Sequence, residues 1–422
     1  MNLPKRLHLF QAYGVELEYM ITDRETLDIK PVADLLLRDI AGYFTNEVVM
    51  GNVVVSNELV NHVIEVKCAT PTSDLFELNH QFITAIDEIN KLLLPYNAQL
   101  MPGSMHPWMD PQKETELWPH GQREIYEAYD RIFNCKGHGW SNVQSSHLNL
   151  PFFDNEEFAA LHAAVRILLP ILPAISASSP IVNSGFSGFL DKRMDYYLRN
   201  QRKIPAATGK LIPERVYSRR AYSQRIFNTI AAQIKPYDPE GILEPVWVNS
   251  RGAIARFDRG SIEIRVLDIQ ESPRMDLAIH SLIIAVLKLL VKEHFQSLHE
   301  QQKIETDGLA GIFKQCIKHG PDTAISDHAF LKQYGYENVE SASANEIWKT
   351  LFRIVKELYP ALINPWQNEI EHILLRGTLS QRILKALSDN YHHDNIKMVY
   401  CEMADCLAEN QMLQPWAEDI TL

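Results

Sequence analysis

Four short stretches, widely separated in the chain, repeat one pattern. Apolar and polar residues alternate, and the polar positions carry carboxylates, a histidine or an arginine. A β-strand sends successive side chains to opposite faces, so each stretch reads as a strand with one greasy and one charged face. In Gly260-Ser-Ile-Glu-Ile-Arg-Val-Leu-Asp268, Ser261, Glu263 and Arg265 fall opposite Ile262, Ile264 and Val266. In Gly14-Val-Glu-Leu-Glu-Tyr-Met-Ile21, Glu16, Glu18 and Met20 share a face. Val63, Glu65 and Lys67 alternate with Ile64, Val66 and Cys68, and Ser145, His147 and Asn149 with Ser146, Leu148 and Leu150. A solvated, salt-bridged strand explains any one of these. Four together favour a sheet with a common charged face.

Such a face is costly unless it is occupied. Two carboxylates two residues apart on one strand repel unless solvated or bridged by a cation. Glu58 precedes Glu65 by seven residues, too far for one strand face, so the two converge only if the chain bends between them. A Glu inside so apolar a run must meet a cation, a base or water. Arg251, Arg256, Arg259 and Arg265 lie within fifteen positions, a density of guanidinium groups that suits anionic ligands.

Composition narrows the classes. The 422 residues are 46% hydrophobic, enough for one large core or two domains. A formal charge of −12 with no long basic run argues against a nucleic-acid partner. Five cysteines without a CxxC pair fit a reducing cytoplasm. The first residues lack an apolar signal core, and the greasiest runs are broken by Arg166, Pro170 and Pro173 or by His280 and Lys288, so a soluble chain without membrane spans is expected.

Between the charged strands the pattern predicts helices over 31–44, 73–94, 122–133, 156–176 and 219–235, a hairpin turning at Gly51-Asn52, and strand-like material over 247–257. After Pro273 the periodicity is mainly helical. The fold class is therefore α+β, with a sheet-bearing core over 1–272 and a mainly helical part over 273–422 in one catalytic unit. Residues 183–213, basic and containing glycines, suit either a flexible substrate-covering loop or a solvated linker. His106 reads as a surface histidine in a Pro-flanked loop. Tyr391-His-His-Asp394 lacks the i, i+4 spacing of helical metal ligands.

No GxxxxGK[ST], GxGxxG after a strand, GxSxG or HExxH occurs. What remains is Glu16, Glu18, Glu58, Glu65, His147 and Glu263, with arginines beside them. Two or more Mg²⁺ or Mn²⁺ ions bridging a nucleoside triphosphate would satisfy these groups. The arginines would then hold the transferring phosphoryl group and a substrate carboxylate.

The order of these motifs resembles glutamate–cysteine ligase family 2, the carboxylate–amine ligases of the glutamine synthetase-like superfamily. The resemblance rests on Gly14-Val-Glu16-Leu-Glu18-Tyr, Glu58…Glu65-Val-Lys with its Ala69-Thr-Pro ending, and Gly103-Ser-Met-His106-Pro. It continues through Ser146-His147-Leu-Asn149, Leu168-Leu-Pro-Ile-Leu-Pro, Ser176-Ala-Ser-Ser-Pro180, Asn249-Ser-Arg251-Gly and Gly260-Ser-Ile-Glu263-Ile-Arg265-Val…Asp268, about residues 12–270 in the family's order.

The resemblance implies a curved antiparallel sheet forming an open funnel with helices behind it. It also implies ATP-dependent amide formation through an acyl-phosphate, by default from glutamate and cysteine, a place in glutathione biosynthesis, and amino-acid substrates in the cytoplasm. By the same resemblance Glu16, Glu18, Glu58, Glu65, His147 and Glu263 face Mg²⁺ or Mn²⁺. Arg265 and Glu263 are catalytic, with Arg265 at the ATP phosphates or acyl-phosphate. Arg193 meets the substrate carboxylate, Arg251 the phosphates, and Asn149 a ligand. A homo-oligomer stays open. The competing readings are a guanidino kinase-like phosphotransferase and a non-catalytic nucleotide-binding relative.

Overall fold

The computed structural model describes residues 6–414. Eight strands form the main sheet, numbered in chain order: β1 (Gly14–Asp23), β2 (Glu47–Met50), β3 (Val53–Asn57), β4 (Val63–Cys68), β5 (Ala98–Met101), β6 (Ser145–Pro151), β7 (Ala253–Arg256) and β8 (Ser261–Asp268). Their order is β2-β3-β4-β1-β6-β8-β7, with β5 paired to the far end of β1. All pairings are antiparallel, and the sheet is open rather than closed into a barrel.

The alternation of β1 explains its central place. Val15, Leu17, Tyr19 and Ile21 are wholly buried on one face. Burying a side chain of this size stabilises the fold by about 1.5–3 kcal/mol relative to leaving it exposed. Three helices take part in the core on that side, Leu75–Leu93, Asn155–Leu168 and Pro273–Val291. Asp74 starts the first of them by accepting the Glu77 N–H at 2.9 Å, and Pro95 lies just beyond its end. In the last, 16 of 19 residues are buried, so this helix is apolar all round and runs through the core.

The other face of β1 carries Glu16 and Glu18 and is closed at Met20. There Met20 and Met101 pack into a second apolar cluster with Ile383, Tyr400 and Met403, from helices Leu379–Leu387 and His393–Glu409. The charged part of the sheet face is thus bounded at one end by the C-terminal helices.

Several expectations change. The 156–176 helix breaks where its prolines fall: Asn155–Leu168 is α-helical, a 3₁₀ turn spans Leu169–Ile171, and a short helix spans Pro173–Ser176. The 219–235 helix contains a π-helical turn over Ser223–Phe227. Of 247–257 only Ala253–Arg256 is strand, because Pro245 starts a helical turn through Val248. The 183–213 stretch is structured: a small hairpin pairs Ile181–Val182 with Gly185–Phe186, and helices span Lys192–Asn200 and Pro205–Thr208.

His106 is buried, not on the surface. Its Nε2 lies 2.8 Å from the Leu27 carbonyl, and the Met109 N–H reaches its Nδ1 at 3.0 Å. Burial pushes its imidazole down to about 4, so the ring pins a loop in the neutral form.

Candidate active site on the charged sheet face

Strand register brings the acidic residues together. Glu16 lies opposite Lys67 on β4 and opposite His147 on β6. Glu18 lies opposite Glu65, and Glu263 on β8 opposite Asn149. The pairing of β8 with β6 shifts register between Ile264 and Leu267, beside Arg265, whose N–H bonds the Gly252 carbonyl at 2.9 Å.

Side-chain contacts knit this register into a cluster. His147 Nδ1 is 3.1 Å from Glu16 Oε2, and its Nε2 is 2.9 Å from Ser145 Oγ and 3.7 Å from Glu18 Oε1. Glu18 accepts the Ser145 N–H at 2.6 Å and the Ser145 hydroxyl at 2.9 Å. Asn149 Nδ2 donates to Glu16 Oε1 at 3.0 Å. Glu263 faces two arginines, with Arg265 Nε 2.9 Å and Arg256 3.7 Å from its carboxylate oxygens. The Arg265 contact is one of close charges without an aligned hydrogen bond, because its Nε–H has no acceptor in line. Lys67 Nζ lies 2.7 Å from Glu65 Oε2 and 3.0 Å from Ser56 Oγ, and the Ser56 hydroxyl donates to the same Glu65 oxygen at 2.9 Å.

The electrostatics follow from this crowding. Burial raises the Glu16 carboxyl above its ordinary range, and Glu263 raises it further. Burial also raises Glu18 and Glu65, with Glu65 acting on the first and Glu16 on the second against partial relief from His147 and Lys67. Glu58 is driven well above the carboxylate range by burial and by Glu18 and Glu65. Glu263 differs. Burial works against its charge, but Arg265, His147 and the other nearby arginines hold its carboxyl below the usual value. Four carboxylates therefore want a further cation, and one is already served.

Glu16, His147 and Glu263 each offer a donor atom, all within 4.8 Å of one another. Two hard carboxylate oxygens and an imidazole nitrogen, with His147 and Glu263 buried and Glu16 partly so, fit a divalent cation of the Mg²⁺ or Mn²⁺ kind.

Two cavities flank the carboxylates. One, of about 220 Å³, lies toward Glu18 and Glu58 and is lined by Arg193, Arg265 and the rings of Tyr126, Tyr129, Trp140 and Tyr197. The other, of about 570 Å³, lies toward Glu16 and is lined by Lys67, Asn149, Arg259 and Ser261.

Most residues singled out from the sequence meet here, Arg251 excepted. Arg251 is buried and spends its guanidinium on Glu214, with both contacts at 2.6 Å, and on the carbonyl of Ala206; it lines neither flanking cavity. A phosphate-binding role for Arg251 is therefore not supported. Arg193 reaches the smaller cavity, but its Nε is committed to Asp268 at 2.5 Å. The chain does bend after Asn57, which brings Glu58 back beside Glu65.

Sequence reasoning missed the aromatic wall. Its rings come from helices outside the sheet, Tyr126 and Tyr129 one turn apart on Arg123–Phe133, Trp140 on His138–Ser141 and Tyr197 on Lys192–Asn200. The i, i+3 pair of tyrosines was the available signal.

Comparison with known proteins agrees with this geometry. Residues 12–314 match the family described as glutamate–cysteine ligase family 2 (GCS2). An uncharacterized protein of Archaeoglobus fulgidus is 34% identical over 338 residues, covering 79% of this chain and 91% of its own length. A putative glutamate–cysteine ligase 2 of Bradyrhizobium diazoefficiens is 25% identical over 217 residues, 51% of this chain and 46% of that protein.

Among solved structures, the glutamate–cysteine ligase of Francisella tularensis in complex with AMP superposes with a TM-score of 0.65 at 11% identity, covering 97% of this chain and 90% of that one. A bifunctional glutathione synthetase from Pasteurella multocida gives 0.53 at 14% identity over 95% of this chain and 54% of that one. These two establish the shared fold, with its open antiparallel sheet and packed helices. From the charged sheet face and the match over residues 12–314, the chain belongs to glutamate–cysteine ligase family 2 and so to the ATP-dependent carbon–nitrogen ligases.

Proposed function

We propose that this chain joins a carboxylate to an amine through an acyl-phosphate, with glutamate and cysteine as the default pair and a γ-glutamyl amide as product. The observation that carries this reading is the cluster of Glu16, His147 and Glu263 donors within 4.8 Å, with Arg265 Nε 2.9 Å from Glu263. A carboxylate is a poor acyl donor. One of its oxygens attacks the γ-phosphorus of ATP, the bond to the bridging oxygen breaks, and ADP leaves. The amine lone pair then attacks the acyl carbon, phosphate departs with the carbon–oxygen electron pair, and the amine proton is lost to the surroundings.

Glu16, Glu18, Glu58, Glu65, His147 and Glu263 would hold Mg²⁺ or Mn²⁺. Bound there, the metal would neutralise phosphate charge and align the γ-phosphoryl group. Arg265, partly exposed at the smaller cavity with its charge beside Glu263, would stabilise charge on the transferring group. Asn149 orients Glu16 through its amide, and Ser145 holds Glu18. Arg193, fixed by Asp268 at the wall of that cavity, is the cation nearest to hand for a substrate carboxylate. Helix Lys192–Asn200, whose Arg193 and Tyr197 line that cavity, would supply a cover against water. AMP in the F. tularensis ligase supports an adenine nucleotide as the phosphoryl source. Among the described residues no helix is long and apolar enough to cross a membrane, and the cytoplasm is the compartment this reading expects.

Hydroxylamine separates this reaction from plain phosphotransfer. With Mg-ATP, glutamate and hydroxylamine in place of the amine, an acyl-phosphate yields γ-glutamyl hydroxamate. ATP hydrolysis without hydroxamate would favour a phosphotransferase.

A further inference from the structure

Lys67 is an unusual neighbour for a metal-binding carboxylate. Its ammonium lies 2.7 Å from Glu65 Oε2 and 3.0 Å from Ser56 Oγ, and Ser56 donates to that same oxygen. The three atoms close a triangle in which one Glu65 oxygen already has two donors. Register fixes the arrangement: Ser56 lies opposite Glu65 across β3 and β4, and Lys67 lies opposite Glu16 across β4 and β1. The Lys67 side chain is 28% exposed, so its stem is held while its head lines the larger cavity. An ammonium in this place supplies the charge that a divalent ion would bring to Glu65.

The rest of the cluster agrees with that substitution. Among the described residues, one group of three or more donors lies close enough to share an ion, Glu16, His147 and Glu263; Glu65 is not in it.

We propose that Lys67 is a built-in counter-cation at Glu65, so that the nucleotide-free site takes one divalent ion, at Glu16, His147 and Glu263, and further ions enter only with the nucleotide. This rests on the metal-binding reading above. Lys67 is then a positioning residue that holds Glu65 and sets the metal count.

The test is Mn²⁺ binding to the full chain without nucleotide, followed by calorimetry and by the loss of the free-ion paramagnetic resonance signal. The wild type is expected to bind one equivalent. Lys67→Met, which keeps the stem but removes the charge, is expected to bind two, and Lys67→Arg one. Wild-type protein with two or more equivalents, unchanged in Lys67→Met, would overturn the role of Lys67 and leave the metal site standing. No Mn²⁺ bound by any of the three would overturn both. Crystals of the wild type soaked in Mn²⁺ give a readout that does not depend on the variant folding: anomalous density at Glu16, His147 and Glu263 alone is expected, and a peak at Glu65 would overturn the proposal.

Discussion

Replacing Arg265 with methionine tests the link between the charged sheet face and phosphoryl transfer. Methionine keeps most of the apolar stem and removes the guanidinium. In the resting protein the change uncovers Glu263, whose side chain is only 6% exposed and which then keeps Arg256 at 3.7 Å. Breaking a fully buried pair costs about 3–5 kcal/mol, but Arg265 is 28% exposed and a second arginine remains, so a loss of about 1–2 kcal/mol is expected. For a chain of 422 residues that corresponds to a fall in Tm of only about 1–2 °C. The effect on turnover is larger, because loss of one donor to developing charge costs about 10²–10³ in kcat, or about 2.7–4 kcal/mol. Initial rates of phosphate release from Mg-ATP, measured beside a thermal melt, separate the two effects. A folded variant whose kcat stays within about threefold of wild type would refute the placement of Arg265 at the phosphoryl group.

Three further outcomes follow from the same geometry. Glu263→Gln should abolish turnover and metal-dependent thermal stabilisation while shifting the metal-free Tm little; near-normal turnover would remove Glu263 from the metal site. Burial and mutual repulsion hold Glu16, Glu18, Glu58 and Glu65 above their ordinary value of 4.5, so the folded chain keeps protons that the unfolded chain releases. Metal-free protein should therefore lose stability as pH rises above the ordinary carboxylate value of 4.5, and Mg²⁺ should flatten that decline; Glu263, held low, contributes in the opposite sense and only in acid. Melts with EDTA and with Mg²⁺ at rising pH check it, and a metal-free Tm that climbs with pH would contradict it. Arg382 and Glu271 form an ion pair in which neither side chain is exposed. Arg382→Leu should cost about 3–5 kcal/mol in urea unfolding, because Glu271 is left buried with its charge uncompensated.

The charged strands were readable because a period of two survives in any sheet topology. Glu16, Glu18, Glu65, His147 and Glu263 all lie on the expected face, and the Gly51-Asn52 hairpin forms as its turn residues suggest. Pairwise partners were not readable. Four arginines close in sequence suggested anionic ligands, yet Arg251 turns to Glu214 on another segment, while Arg256 and Arg265 reach Glu263. His106 in its Pro-flanked loop gave no sign of burial, since its acceptor is the Leu27 carbonyl, 79 residues away. The 183–213 stretch has the composition of a loop, but Arg193 there is drawn inward by Asp268 on β8 and carries a helix with it. In each case a long-range partner decided the outcome, and local pattern holds no record of such partners.

The central claim is that this sheet face condenses a carboxylate with an amine at the expense of ATP. The most direct measurement is mass spectrometry of the products formed from Mg-ATP, glutamate and a panel of amines including cysteine, with ADP and phosphate quantified in parallel. The account predicts, for one amine, a product whose mass is that of the pair minus water, formed in step with equal amounts of ADP and phosphate. Phosphate released with no condensed product from any amine would contradict it.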